Sequence, residues 1–158
     1  MQRHLSALCL SAVIITSAII TAQGDDPPKA APQPMSLRLE LFVKDFEKSI
    51  DFYTKVLGFE RQQGEPSYVP VRSGSVVIGL GPASKLPKSH YFNPELQKSR
   101  RGLGAEIVLE VDDVQQFHQQ VKASGYQGLI TPLRTQSWGL TDFRIADPDG
   151  YYLRITSR

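Results

Sequence analysis

The sequence predicts an α+β fold in which two βαβββ modules pair to form a cup-shaped mixed sheet. Three observations lead there. The first is a faint internal repeat: Val43-Lys44-Asp45-Phe46 runs into Phe52-Tyr53 and Leu57-Gly58-Phe59, and Val111-Asp112-Asp113-Val114 runs into Phe117 and Ser124-Gly125-Tyr126. The second is the change of period inside each copy, from alternation to a helical stripe, with an acidic residue at the switch and a glycine at the stop. The third is that strand-like segments separated by turn residues follow each helix. Each sheet must bury its apolar face beneath its own helix, so the opposite faces are left to line a concavity.

In the first module, residues 37–43 alternate. Leu37, Leu39, Leu41 and Val43 share one face; Arg38, Glu40 and Phe42 share the other. Asp45 is placed to cap a helix whose stripe is Phe46, Ile50, Tyr53 and Leu57, and Gly58 suits a left-handed stop. Strands are expected over 59–63, 67–72 and 76–81. Pro82 at its start, then Pro87 and Pro94, mark the long connection that fills the linker over 83–103, with room for a helical turn over 93–98. Its excess of lysine and arginine reads as a solvated surface, not a nucleic-acid site.

The second module repeats the order. Ile107, Leu109 and Val111 alternate with Glu106, Val108 and Glu110. Asp113 with Gln116 approximates a capping box, and Val114, Phe117 and Val121 form the helical stripe. Strands are expected over 127–131, 140–146 and 151–156, and Asp149-Gly150 signals the last tight turn. The domain is thus expected over 36–158: module one over 36–82, a linker over 83–103, module two over 104–158.

The first 24 residues have the charge and hydropathy profile of a secretory signal: Arg3 and His4, an apolar run over 5–20, then Ala22-Gln23-Gly24. Export to the periplasm or the extracellular space is the expectation, with no membrane association after cleavage; an uncleaved N-terminal anchor is the alternative. Cys9, the only cysteine, would leave with the signal, and with it any disulfide, thiolate metal site or cysteine nucleophile. Four prolines within 25–35 predict a disordered tether. The formal net charge of +2 calls for no polyanionic partner.

The segments from Val43 to Ser49, Phe52-Tyr53, Leu57-Gly58-Phe59, Glu110-Val111-Asp112-Asp113, Trp138-Gly139 and Asp147-Pro148-Asp149-Gly150, in that order and spacing, resemble the vicinal oxygen chelate (VOC) superfamily. That superfamily includes glyoxalase I, extradiol dioxygenases, and fosfomycin- and bleomycin-resistance proteins. The resemblance implies a homodimer of paired modules. It also implies a divalent metal held by His and Glu or Gln on the cup face, with ligands at positions that fall here on Arg38, Glu106 and Arg154, and a further one near Gly79.

Arginine stays protonated and has no lone pair to give, so of these only Glu106 could ligate. His90 on the linker and His118 on a helix read as surface residues. The expectation is therefore a lost metal site and no cofactor. Arg38, Glu40, Glu106, Glu110 and Arg154 remain as either a ligand-binding set or an ion cluster pinning the modules together. The resemblance puts Trp138 at the cup rim, where an aromatic stacks on ligand; core packing is its other reading. The type closest to this pattern is a metal-free, bleomycin-resistance-like protein that sequesters or carries a small polar or aromatic molecule. The alternatives are a lyase, isomerase or dioxygenase with a divalent metal on Glu40, Glu106 or Glu110, and a purely structural module.

Overall fold

A computed structural model describes residues 35–93 and 101–158. The expected signal, most of the expected tether and most of the expected helical turn over 93–98 lie outside the described residues. Within the unit Ser36–Arg158 the element order repeats. β1 (Leu39–Val43) leads to α1 (Phe46–Asp51), then β2 (Glu60–Arg61), β3 (Val69–Ser73) and β4 (Val76–Pro82). After the connection come β5 (Ile107–Val111), α2 (Val114–Ala123), β6 (Leu129–Thr135), β7 (Thr141–Ala146) and β8 (Tyr152–Ser157). Two four-stranded mixed sheets result, ordered β1-β4-β3-β2 and β5-β8-β7-β6. The helix carries the chain from the first strand to the far edge of its sheet, and two antiparallel pairings bring the last strand back beside the first, so β1 runs parallel to β4 and β5 parallel to β8.

The caps form as the residue types dictate. The Asp45 carboxylate accepts the Lys48 N–H and the Asp113 carboxylate the Gln116 N–H. Gly58 and Gly125 sit at φ 75° and 72°, where a side chain would be strained. The first helix departs from expectation in its second half. Over Phe52–Val56 it widens to a π-helical turn, closed by the Leu57 N–H on the Phe52 carbonyl. Successive residues Phe52 and Tyr53 are both buried there, which a narrow α-helical stripe does not provide. The core-side residues of both sheets form one continuous apolar cluster, from Leu41, Val43, Ile78 and Leu80 to Phe143, Ile145, Leu153 and Ile155.

Most strand edges shift by one or two residues from the sequence reading. The segment after Gly58 thereby shrinks to Glu60–Arg61, and the exception is β6, which runs on to Thr135 through two register shifts. Bulges of that kind leave no mark in an alternation pattern.

Candidate functional site in the cup

Period two and strand register decide which side chains leave the core. In the first sheet, Glu40 of β1 lies opposite Gly79 of β4, which lies opposite Pro70 of β3. A Cβ on Gly79 would collide with the Glu40 carboxylate and the Tyr68 hydroxyl, so the missing side chain is what lets these two groups lie across the strand. Arg38 completes the group: its Nε stands 2.8 Å from Glu40 Oε1, a terminal nitrogen donates to the Tyr68 hydroxyl, and that hydroxyl donates to Glu40 at 3.0 Å. Burial and the Glu40 carboxylate push the Tyr68 phenol above its ordinary range, although hydrogen bonding from Arg38 opposes this. About half of the Arg38 and Glu40 side chains stays in solvent.

The second sheet carries a different set at the matching places. Val108 of β5 lies opposite Arg154 of β8, and Arg154 lies opposite Arg144 of β7. Glu106 Oε2 is 3.7 Å from Arg154 Nε and Glu106 Oε1 is 3.9 Å from Arg144 Nε, both beyond hydrogen-bond reach. Arg144 also pairs with Asp142, which is fully buried. The other donor to Asp142 is Gln136, whose Nε2 is 2.6 Å from Oδ1. That bond anchors the β6–β7 loop, where Trp138 stands more than half exposed. Its exposure excludes the core-packing reading.

Arg38, Glu106 and Arg154 do not form one cluster. Among the described residues, no hydrogen bond or ion pair joins the Arg38–Glu40–Tyr68 set to the Glu106–Arg144–Arg154 set, so an ion cluster pinning the modules together is not what these residues make. Glu110 is exposed, at the far end of β5. A different latch joins the modules. The Asp149 carboxylate accepts the Lys44 N–H at 2.9 Å, lies 3.4 Å from Ser49 Oγ and pairs with buried Arg101 at 4.0 Å. Asp147 accepts the N–H groups of Asp149 and Tyr151 and the Tyr53 hydroxyl. Burial is the main cause that raises the Asp147 carboxyl to about 6. Sequence reasoning saw this stretch as a turn and missed the latch, since nothing local marks a turn aspartate as buried.

The histidines also need correcting. His90 is half-buried, edge-on to Phe42 with ring centroids 5.2 Å apart. His118 packs against Phe143, and burial, helped by Lys122, lowers its pKa. Arg144 and Asp142 escaped the sequence reading for a simple reason: the alternation on β7 marks the face, but only the register shows what stands opposite.

The model of the Glyoxalase/Bleomycin resistance protein/Dioxygenase superfamily matches residues 36–155. The chain belongs to that superfamily. It is 30% identical over 115 residues to a bleomycin resistance protein of Geobacillus stearothermophilus, covering 68% of this chain and 84% of the relative. It is 30% identical over 125 residues to a lactoylglutathione lyase of Escherichia coli O157:H7, covering 75% and 89%. Among solved structures, the bleomycin resistance determinant encoded on transposon Tn5 superposes with a TM-score of 0.59 at 22% identity, over 79% of this chain and 98% of that one, which supports the fold.

The donor set does not fit a divalent metal. Where the resemblance places ligands stand two guanidinium groups, a glycine whose space is taken by Glu40 and Tyr68, and one carboxylate shared by two arginines. Among the described residues no three His, Cys, Asp or Glu side chains converge on one point.

Proposed function

We propose that this chain is an exported protein that binds a small polar or aromatic molecule in its cup without a metal, sequestering or carrying it rather than turning it over. The observation that carries this reading is the chemistry at the ligand positions. Arg38 and Arg154 offer hydrogen-bond donors and positive charge there, which orient polar groups and repel a dication. Trp138 supports the reading, because a ring left exposed on the loop that Gln136 ties to Asp142 is free to stack on a flat ligand. Similarity to proteins named for bleomycin resistance supports a binding role, and the family supports a homodimer. Export rests on the N-terminal sequence; among the described residues no helix is long and apolar enough to cross a membrane.

Similarity to a lactoylglutathione lyase supports a second reading, a metal-dependent lyase, isomerase or dioxygenase with a carboxylate site rebuilt on Glu40, Glu106 or Glu110. A ligand screen read by Trp138 fluorescence, run with and without added Mn, Fe, Ni or Zn, separates the two. Saturable quenching that ignores metal is the expected result. A tryptophan spectrum that no compound moves overturns the binding reading. Turnover that requires metal establishes the second.

A further inference from the structure

We propose that the second module's half of the cup, together with the cleft beside it, takes a small amphipathic carboxylate: an organic acid with an alkyl or aryl body. This rests on the binding reading above and narrows it to a ligand class. Arg144 and Arg154 face each other across β7 and β8. Among the described residues Arg154 makes no hydrogen bond, and its Nε is buried without a partner. A buried guanidinium N–H whose only acid stands at ion-pair distance, outside hydrogen-bond reach, is an incomplete arrangement. Its nearest acid, Glu106, stands too far off to bond it and is itself exposed, free to turn toward water.

The remaining charges on this face are Glu110, Asp142 and Arg134, Arg134 lying opposite Asp142. Asp142 gives its Oδ1 to Arg144 and Gln136, and its Oδ2 is buried without a hydrogen-bond partner, closed off from solvent. A carboxylate arriving from solution therefore replaces Glu106 and restores the bidentate geometry that Glu106 misses.

The body of the ligand has a place to go. Glu106 also lines a cleft of about 570 Å³ that runs past the start of β5, between Leu37, Leu39 and Ile78 on one side and Ile107 and Val108 on the other. Its walls are apolar apart from Glu106, Ser36 and Ser75, and its size suits a small organic molecule. An acid headgroup on the arginines with an apolar body in the cleft satisfies both surfaces at once; a free inorganic anion satisfies only the first.

The test uses the full chain and three probes: octanoate, acetate and octylammonium. Nitrogen-15 resonances of the arginine Nε–H groups report the site. Octanoate is expected to saturate and to shift the Arg154 signal. Acetate, which buries no chain, binds at least roughly tenfold more weakly, and octylammonium does not compete. Glu106→Gln removes the internal competitor and tightens octanoate severalfold. Arg154→Gln abolishes the binding, checked for folding by circular dichroism. Leu37→Asp, at an exposed position, weakens octanoate but not acetate.

Octylammonium binding more tightly than octanoate overturns the proposal, because the acids would then govern the face. So does octanoate binding that leaves Arg154 unmoved, or a Leu37→Asp variant that changes only the molecular mass, which would make the cleft a subunit contact. If other compounds quench Trp138 while octanoate does not bind, this inference falls and the binding reading stands. If no compound in the screen binds at all, both fall.

Discussion

The two modules put different chemistry on the same frame. Arg38 corresponds to Glu106, Glu40 to Val108, Gly79 to Arg154 and Tyr68 to Asp142, when the strands are matched by their registers. In module one the last strand carries a glycine, so the neighbouring carboxylate leans over it and pairs with Arg38 in solvent. In module two the same place carries an arginine that fills the space itself, and the acid under its neighbour Arg144 is buried completely. A glycine exchanged for an arginine thus separates a solvated ion pair, which contributes little, from a desolvated network whose members depend on one another.

The largest expected effect tests that dependence. Asp142→Ala strands the mostly buried Arg144 and should cost about 3–5 kcal/mol in urea denaturation. Replacing the pair together, Asp142→Leu with Arg144→Met, should recover most of the loss, because apolar residues of similar size need no partner. If the double variant stays as unstable as the single one, the network is not what holds this face.

The latch between the modules gives the next effect, and it depends on pH. Asp147 titrates at about 6 when folded against an ordinary value of 3.8. A raised carboxyl favours folding fully below the lower value, and that advantage disappears as pH rises through the higher one. The wild type should therefore gain about 2.5 kcal/mol from this group as pH falls from 7 to 3.8. Asp147→Asn keeps an oxygen for the two backbone N–H groups and removes the titration. Its stability measured across that interval should lack this gain. A variant with the wild-type pH slope would assign the titration elsewhere.

The smallest effects belong to module one. Glu40→Gln should leave the unfolding midpoint unchanged, since its partners are half in water. Gly79→Ala meets only the tips of Glu40 and Tyr68, which can swing aside, so it should fold while releasing Tyr68 from Glu40. A fall in the Tyr68 phenol pKa, followed by ultraviolet titration, would show the release. An unchanged titration would mean that burial alone sets it, and the contrast between the modules would narrow.

These same residues show how far the sequence could be read. Alternation on β1, β5 and β8 placed Arg38, Glu40, Glu106, Glu110 and Arg154 on the non-core face, and the Asp and Gly signals bounded both helices, because these depend on neighbours in the chain. The pairing of Glu106 with Arg144, the burial of Asp142 and the engagement of Asp147 and Asp149 depend on residues brought together from distant strands. The division of the cup set into two groups was invisible for the same reason. His90, separated from Phe42 by most of module one, was legible only once the linker returned to β1.

The central claim is that arginine chemistry, not a metal, equips this cup. The most direct test is metal analysis of the full chain after incubation with Mn, Fe, Ni and Zn followed by dialysis. Substoichiometric traces, unchanged by Glu106→Gln, are the predicted result. A stoichiometric transition ion that is retained by the wild type and lost in Glu106→Gln would contradict the account.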